Sequence, residues 1–295
     1  MATTPFRCGA IALIGRPNVG KSTLLNALVG QKLSITSRKP QTTRYHVRGI
    51  CTTPSAQFIF VDTPGFQTRH RGALNRAMNR EIRSALEEVD VVVLVIEAGR
   101  FGADDRTLLK LSPEEVPLFG VVNKIDRTGP EALLPFLGDL AKESRFAEIV
   151  PVSAKSGKGL EELRRTLERY LPEQPAIYPE DEITDRNEHF LAAELLREKL
   201  FRLLGEEIPY GSRVEIDKFE QRGNLRRIHA SIVVEKESHK GIIIGSRGEK
   251  LKQIASAARI DMEKLFGGKV YLEAWVKVRP DWTEDEAAVK RLGYG

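Results

Sequence analysis

The stretch from Gly15 to Ser22 constrains this chain more than any other part of it. Its two glycines are separated by four residues and are followed by Lys21 and Ser22, a pattern typical of phosphate-binding loops. The apolar residues 10–14 before it suit a buried strand, and residues 23–29 after it favour a helix. In that setting, backbone N–H groups surround a phosphate at a helix N-terminus. The lysine is predicted to contact the β- and γ-phosphates, and the serine hydroxyl to bind Mg²⁺.

The overall composition favours two globular domains in a cytoplasmic protein. A chain of 295 residues lies within the size range at which single cores usually stop growing, about 250–300 residues. No apolar run reaches the roughly 18 residues of a membrane span, and no signal-peptide segment is present at the N-terminus. Two cysteines, Cys8 and Cys51, are too few for a disulfide framework or a zinc site.

Basic residues are concentrated in two parts of the chain. Residues 1–75 contain ten Lys and Arg against a single acidic residue, Asp62, and residues 222–259 contain nine against three. Such concentrations suit a polyanionic partner, although a solvated basic face would look the same in sequence.

A second nucleotide motif follows a predicted hairpin over residues 47–61. The hairpin ends in Asp62-Thr63-Pro64-Gly65. An aspartate at the end of an apolar strand, paired with a phosphate loop, is placed to hold the water shell of Mg²⁺. The Gly65 N–H is placed to sense a γ-phosphate.

A third motif, Asn123-Lys-Ile-Asp126, follows another predicted strand and can select a nucleobase. The carboxylate of Asp126 can accept hydrogen bonds from the N1–H and the N2 amino group of guanine together. Adenine would leave it buried without a donor, so guanine is predicted. Lys124 is expected to pack along the ring. A strand at 148–152 then leads into Ser153-Ala154-Lys155, where a backbone N–H is expected to meet guanine O6.

These motifs follow one another in the order and spacing of a translation-factor-type GTPase, which this part of the chain resembles. The resemblance implies an α/β fold, a doubly wound and mostly parallel sheet with GTP or GDP at the C-terminal ends of its strands. Mg²⁺ would be held by Ser22, Asp62 and Thr43, with Thr42 the less favoured threonine. The residues implied for nucleotide binding are Gly15, Arg16, Pro17, Asn18, Val19, Gly20, Lys21, Ser22, Thr23, Asp62, Thr63, Pro64, Gly65, Asn123, Lys124, Asp126, Ser153, Ala154 and Lys155.

One residue departs from the Ras pattern. Phe66 occupies the position at which Ras-like proteins carry the glutamine that orients the attacking water, with Gln67 one residue later. This resembles the group of GTPases that work without that glutamine. In several of them an asparagine matching Asn18 helps to hold K⁺. The resemblance therefore implies Lys21, Thr43 and Asn18 as catalytic residues, with K⁺ as a candidate cofactor.

A proline-rich stretch at 171–179 marks the end of the first domain. The predicted organisation is a GTPase domain over residues 1–172, a linker over 173–183 and a second domain over 184–295.

The second domain contains a turn, Gly245-Ser-Arg-Gly248, between predicted helices. Its predicted element order, helix–strand–strand–helix–helix–strand, resembles the prokaryotic type II KH domain, a small α/β fold that binds single-stranded RNA. The glycines let backbone amides approach phosphates, and neighbouring isoleucines are expected to form an apolar groove for bases. The residues predicted to contact RNA are His239, Lys240, Ile242, Ile243, Ile244, Gly245, Ser246, Arg247, Gly248 and Lys250.

The combination of a GTPase domain, a short linker and one KH domain resembles the bacterial Era GTPases over essentially the whole chain. That resemblance implies GTP hydrolysis and binding to the 3′ end of 16S ribosomal RNA during assembly of the 30S subunit. A monomer is expected, and peripheral association with the inner face of the cell membrane stays open. Two alternatives are a GTPase with another RNA-linked role, such as tRNA modification, and a passive RNA-binding module.

The basic residues near the nucleotide suggest that RNA binding depends on GTP. The polar loop at residues 32–44 is a candidate first switch segment, and a second follows Asp62-Thr63-Pro64-Gly65. The basic residues in or beside these two segments exceed what GTP and Mg²⁺ require, and a γ-phosphate would order both segments. These basic residues are Arg38, Lys39, Arg44, Arg48, Arg69 and Arg71. We expect these side chains to contact RNA phosphates in the GTP-bound state, with a solvated basic face as the alternative.

Overall fold

The computed structural model describes residues 5–37, 39, 42, 46–66, 80, 82–205 and 208–280. Its contacts divide the chain into two compact units. The first contains residues 1–34 and 43–185, and the second contains residues 35–42 and 186–295. Among the described residues, no helix combines the length and the apolar character needed to cross a membrane.

A six-stranded sheet forms the centre of the first unit, with the order β2-β3-β1-β4-β5-β6. Only β2 is antiparallel to its neighbour, so the predicted hairpin and the predicted parallel strands are confirmed. The strands are β1 (Arg7–Ile14), β2 (Val47–Thr52), β3 (Ala56–Asp62), β4 (Val91–Glu97), β5 (Leu118–Asn123) and β6 (Glu148–Pro151).

Helices flank this sheet because its central strands are apolar on both faces. Every residue of β3 and of β5 is buried, which requires cover on each side. The helices are α1 (Lys21–Val29), α2 (Ala103–Leu111), α3 (Pro130–Leu140) and α4 (Leu160–Glu168). The sequence at 73–88 also predicts a helix; residues 80 and 82–87 are helical, and residues 73–79 and 81 lie outside the described part of the chain.

The stretch predicted as a linker is hydrogen-bonded to the strands of the first unit. The side-chain oxygen of Gln57 accepts bonds from the N–H groups of Ile177 and Tyr178, each at 2.9 Å. Further along, the Ile50 N–H donates to the Ile183 oxygen at 2.9 Å. These residues are therefore packed against the first unit and belong to it.

In its described residues, the second unit contains a three-stranded sheet covered by three helices. Its elements are α5 (Glu188–Leu203), β7 (Ser212–Arg222), β8 (Leu225–Val234), α6 (Glu237–Ile244), α7 (Glu249–Phe266) and β9 (Lys269–Val278). The strand order is β7-β8-β9, with β7 antiparallel and β9 parallel to β8. The predicted order of helices and strands is confirmed.

Helix α5 carries buried charges on the side that does not face the apolar core. Glu198 is fully buried and accepts hydrogen bonds from both the N–H and the hydroxyl of Thr36, at 3.0 and 3.1 Å. Arg197 donates to the main-chain oxygen of Thr42 at 2.6 Å. Residues of the predicted first switch segment therefore supply partners for these charges within the second unit.

Candidate nucleotide site and RNA-binding turn

The phosphate loop has left-handed backbone at Asn18 and Gly20, with φ of +64° and +104°. A Cβ atom at Gly20 would lie 2.3 Å from the side-chain nitrogen of Asn123, so a side chain at this position would displace that amide. The Lys21 ammonium donates to the main-chain oxygens of Gly15 and Arg16, at 2.9 and 3.1 Å. The lysine is thus held at the mouth of the loop, where phosphate would bind.

Two buried charges lie at this loop. Burial lowers the pKa of Lys21 to about 8, and the nearby Asp62 carboxylate opposes that shift. Burial likewise raises the pKa of Asp62 above its ordinary value, against the effect of the lysine. Each group is therefore the main electrostatic support for the other when no phosphate is bound.

The Asp62 carboxylate has one satisfied and one unsatisfied oxygen. Oδ2 accepts hydrogen bonds from the hydroxyls of Ser22 and Ser34, both at 2.7 Å. Oδ1 is buried and has no hydrogen-bond partner. A buried oxygen that lacks a donor fits a site that receives a metal-bound water, which is how Mg²⁺ usually meets carboxylates.

The segment after Asp62 is packed against the phosphate loop. The Phe66 N–H donates to the Gly15 oxygen at 3.2 Å, and a Cβ atom at Gly65 would lie 2.9 Å from Pro17 Cα. The Phe66 side chain is 6% exposed and packs in the core with Ile82 and other apolar residues. It is therefore turned away from the place where a glutamine would orient water.

Asn123 connects three loops of the base site. Its side-chain nitrogen donates to the Val19 oxygen at 3.0 Å, and its side-chain oxygen accepts from the N–H groups of Lys124 and Ala154, at 2.8 and 3.0 Å. The phosphate loop, the end of β5 and the loop after β6 are thus fixed to one another.

A cavity of about 170 Å³ lies beside Asn123. The Asp126 carboxylate accepts the Ser153 hydroxyl at 2.6 Å, which holds the pKa of Asp126 below its ordinary value. Lys124 donates to the Asn18 oxygen at 2.6 Å and pairs with Glu97 at 2.8 Å, so its stem lies across the site. The lining residues are Gly20, Thr23, Asn123, Lys124, Asp126, Arg127, Ala154 and Lys155.

The side chain of Arg16 leaves the phosphate loop. Its Nε donates to the buried carboxylate of Asp105 at 2.8 Å, and its Nη2 donates to the Arg100 oxygen at 2.9 Å. Arg16 is therefore available to phosphate only through its backbone. Asp105 and Ser34 belong to the surroundings of the site, and no local sequence pattern marks either of them.

The Gly-x-x-Gly turn of the second unit joins α6 to α7. Gly245, Arg247 and Gly248 have φ of +70°, +49° and +81°. The helix α7 begins directly after Gly248, so a helix N-terminus lies at the turn. This geometry suits the approach of a phosphate.

Two grooves lie beside this turn. One, of about 340 Å³, has an apolar floor and a basic rim, and it is lined by Gly248, Leu251, Lys252, Ala255, Ser256, Arg259, Leu272 and Ala274. The other, of about 600 Å³, is lined by Leu203, Leu204, Gly205, Ile242, Gly245, Ser246, Glu249, Lys250 and Gln253. The sequence interpretation missed Lys252 and Arg259 on the rim of the first groove.

The three isoleucines before the turn do not form a single apolar groove. Ile243 is fully buried in the core, whereas Ile242 is 53% exposed and Ile244 packs partly against the core. The helical period of α6 turns these neighbours in different directions. The prediction of an RNA contact is therefore corrected for the side chain of Ile243.

Several predicted residues lie outside the described part of the chain. They are Thr43, Gln67, Arg38, Arg44, Arg69 and Arg71. Among the described ones, the Thr42 hydroxyl donates to the Lys39 oxygen at 2.8 Å, and the Lys39 ammonium donates to the oxygens of Leu204 and Gly205.

Comparison with protein families gives two matches along the chain. Residues 10–124 match the family described as "50S ribosome-binding GTPase", and residues 207–283 match the KH domain. The chain is 55% identical over 295 residues to the GTPase Era of Nitrosomonas eutropha, covering 100% of both sequences. It is 53% identical over 294 residues to the GTPase Era of Chromobacterium violaceum, covering 99% of each.

Two solved structures share the whole fold. One is Era in complex with MgGDPNP and nucleotides 1506–1542 of 16S ribosomal RNA, with a TM-score of 0.93, 41% identity and coverage of 98% of this chain and 99% of that one. The other is a point variant of Aquifex aeolicus Era bound to GDP·AlF4⁻, with a TM-score of 0.93, 40% identity and coverage of 98% and 100%. The chain is similar to Era proteins over its full length and contains both a guanine-type base site and a KH unit. It therefore belongs to the Era family of GTPases.

Proposed function

We propose that this chain is a cytoplasmic, monomeric GTPase that binds the 3′ end of 16S ribosomal RNA through its KH unit during assembly of the 30S subunit. The observation that carries the proposal is the presence in one chain of the Asp126 base site and the Gly245–Gly248 turn. It is supported by similarity to an Era structure that contains MgGDPNP and 16S ribosomal RNA. Peripheral association with the cell membrane is a further, separate proposal.

The roles of the nucleotide-site residues follow from their contacts. Lys21 would exchange its contacts with main-chain oxygens for contacts with the β- and γ-phosphates, and Asp126 would orient guanine. Ser22, Asp62 and Thr43 are the residues that would hold Mg²⁺. The metal would neutralise charge on the phosphate oxygens.

Hydrolysis is proposed to proceed without a glutamine, because Phe66 is committed to the core. Asn18 lies in the phosphate loop and carries a carbonyl oxygen, the ligand type that K⁺ prefers. We therefore assign to Asn18 the role of a K⁺ ligand beside the phosphates.

RNA binding is proposed in the groove of about 340 Å³ beside Gly248. Leu251, Ala255 and Leu272 give bases an apolar surface, while Lys252 and Arg259 lie where phosphates would pass. The Gly-x-x-Gly turn would meet the adjoining backbone.

The proposal is tested by measuring RNA affinity in both nucleotide states across a range of salt concentrations. The probe is a single-stranded RNA with the sequence of the 16S 3′ end, and the control is a scrambled RNA of equal length. We expect tighter and more salt-dependent binding with a non-hydrolysable GTP analogue than with GDP, since each added phosphate contact steepens the log–log slope by about 0.7. Equal affinities for the two RNAs would overturn the assignment of the 3′ end, and equal slopes in both states would overturn the dependence on GTP.

A further inference from the structure

Ser34 contacts the nucleotide site from a position that no motif marks. It lies 28 residues before Asp62 in sequence, is 2% exposed, and donates its hydroxyl to Asp62 Oδ2 at 2.7 Å. Ser22 donates to the same oxygen at the same distance. Both donors therefore meet one side of the carboxylate, and Oδ1 is left without a partner.

The position of Ser34 is fixed by helix α1. The side-chain oxygen of Asn26 accepts the N–H groups of Leu33 and Ser34, each at 2.9 Å. The Asn26 side-chain nitrogen donates to the Ser34 main-chain oxygen at 2.7 Å. One amide side chain thus binds the main chain of Ser34 on both sides, so the hydroxyl is positioned by a helix and not by a loop alone.

The two serines differ in what they can do once a metal is bound. The Ser22 oxygen is itself a proposed Mg²⁺ ligand, so its orientation depends on the metal. Ser34 is not a proposed metal ligand, and its main chain is held by Asn26. Outer partners of this kind orient the groups that meet a metal and commonly change metal affinity about 10- to 100-fold when removed.

We propose that Ser34, held by Asn26, is a positioning residue for the Mg²⁺ site. By donating to Oδ2, Ser34 fixes the rotation of the Asp62 carboxylate, so that Oδ1 is presented to a water of the metal. The inference rests on the proposed assignment of Mg²⁺ to Ser22 and Asp62.

The test is the Mg²⁺ dependence of nucleotide retention, measured with a fluorescent GDP analogue on the full-length chain. We expect Ser34→Ala to raise the Mg²⁺ concentration for half-maximal retention by about 10- to 100-fold. Nucleotide affinity in EDTA should stay unchanged, because Ser34 acts on the site through Asp62, a residue proposed to hold the metal. Ser34→Cys replaces the hydroxyl with a thiol, which is a weaker donor. Its Mg²⁺ concentration for half-maximal retention should lie between those of the native chain and Ser34→Ala.

Controls separate positioning from a general loss of stability. Ser112→Ala removes another buried hydroxyl, which donates to the Leu108 oxygen at 3.0 Å in α2, and should leave the Mg²⁺ dependence as in the native chain. Asn26→Ala should weaken Mg²⁺ binding, and adding Ser34→Ala to it should have little further effect because both act through one hydrogen bond.

Distinct results would overturn distinct claims. An unchanged Mg²⁺ dependence in Ser34→Ala, or an equal loss of nucleotide affinity with and without Mg²⁺, would overturn the positioning role alone. Retention in the native chain that does not respond to Mg²⁺ would overturn the metal assignment together with the inference. Neither result bears on RNA binding, which is measured separately.

Discussion

The Ser153 hydroxyl lies 2.6 Å from the Asp126 carboxylate and is the main reason that the pKa of this carboxyl is lowered. Guanine binding needs the ionised carboxylate, so affinity is lost as the pH falls through that pKa. Ser153→Ala should raise the pKa and move this loss to higher pH. GDP affinity measured between about pH 3 and 5, the range around the ordinary pKa of an aspartate, checks the shift.

A matched control for this change is Ser156→Ala. It alters a neighbouring serine of the same loop, whose N–H donates to Ser153 Oγ at 3.2 Å, and leaves the Ser153 hydroxyl in place. Ser156→Ala should lose GDP affinity at the same pH as the native chain. If Ser153→Ala also loses GDP affinity at the same pH as the native chain, the Ser153 hydroxyl does not control the pKa of Asp126.

A second prediction concerns Phe66. Because its side chain is buried among apolar residues, Phe66→Gln should place an amide in the core and cost roughly 1–3 kcal/mol of unfolding free energy. It should not accelerate GTP hydrolysis, since the side chain does not face the phosphates. Phe66→Leu serves as the apolar control. Single-turnover hydrolysis and chemical denaturation together test this, and faster hydrolysis in Phe66→Gln contradicts the assignment.

A third prediction follows from the absence of a glutamine at that position. K⁺ should accelerate GTP turnover more than Na⁺ at equal ionic strength, and Asn18→Ala should remove the difference. Nucleotide affinity of the variant, measured in Na⁺, serves as the control for an intact loop. Equal rates of the native chain in the two salts would exclude the proposed role of K⁺.

A fourth prediction separates the two grooves beside the Gly-x-x-Gly turn. The double substitution of Lys252→Ala and Arg259→Ala should lower RNA affinity. It should also flatten the log–log salt dependence of that affinity by about 1.4, because two single-strand phosphate contacts are lost. Lys250→Ala, a basic residue of the other groove, is the matched control and should change the slope less. A larger effect of Lys250→Ala would place the RNA in the groove of about 600 Å³.

Local sequence patterns predicted the strands and the three nucleotide motifs, because each depends on neighbours within a few residues. The helices α2 and α3 were not predicted. Helix α3 contains Pro135, which disfavours a helix interior, and α2 buries only Asp105 and Leu108. Tertiary packing, not local preference, stabilises both.

The residues that surround the site could not be predicted for a related reason: their partners are distant in the sequence. Ser34 meets Asp62 across 28 residues, and Arg16 meets Asp105 across 89. Neither pair leaves a periodic or spaced signal in one sequence. The isoleucines at 242–244 were predicted to form one groove, whereas the helical period of α6 buries Ile243 completely and leaves Ile242 exposed.

The hydrogen bonds of Gln57 decide where the GTPase part of this chain can be cut. A fragment ending at residue 172 would leave this buried amide without the N–H groups of Ile177 and Tyr178, and β2 without its partner at Ile183. A fragment ending after Asp185 keeps all of them. Domain dissection and protease mapping should therefore find the stable boundary about a dozen residues beyond the point where the prolines begin.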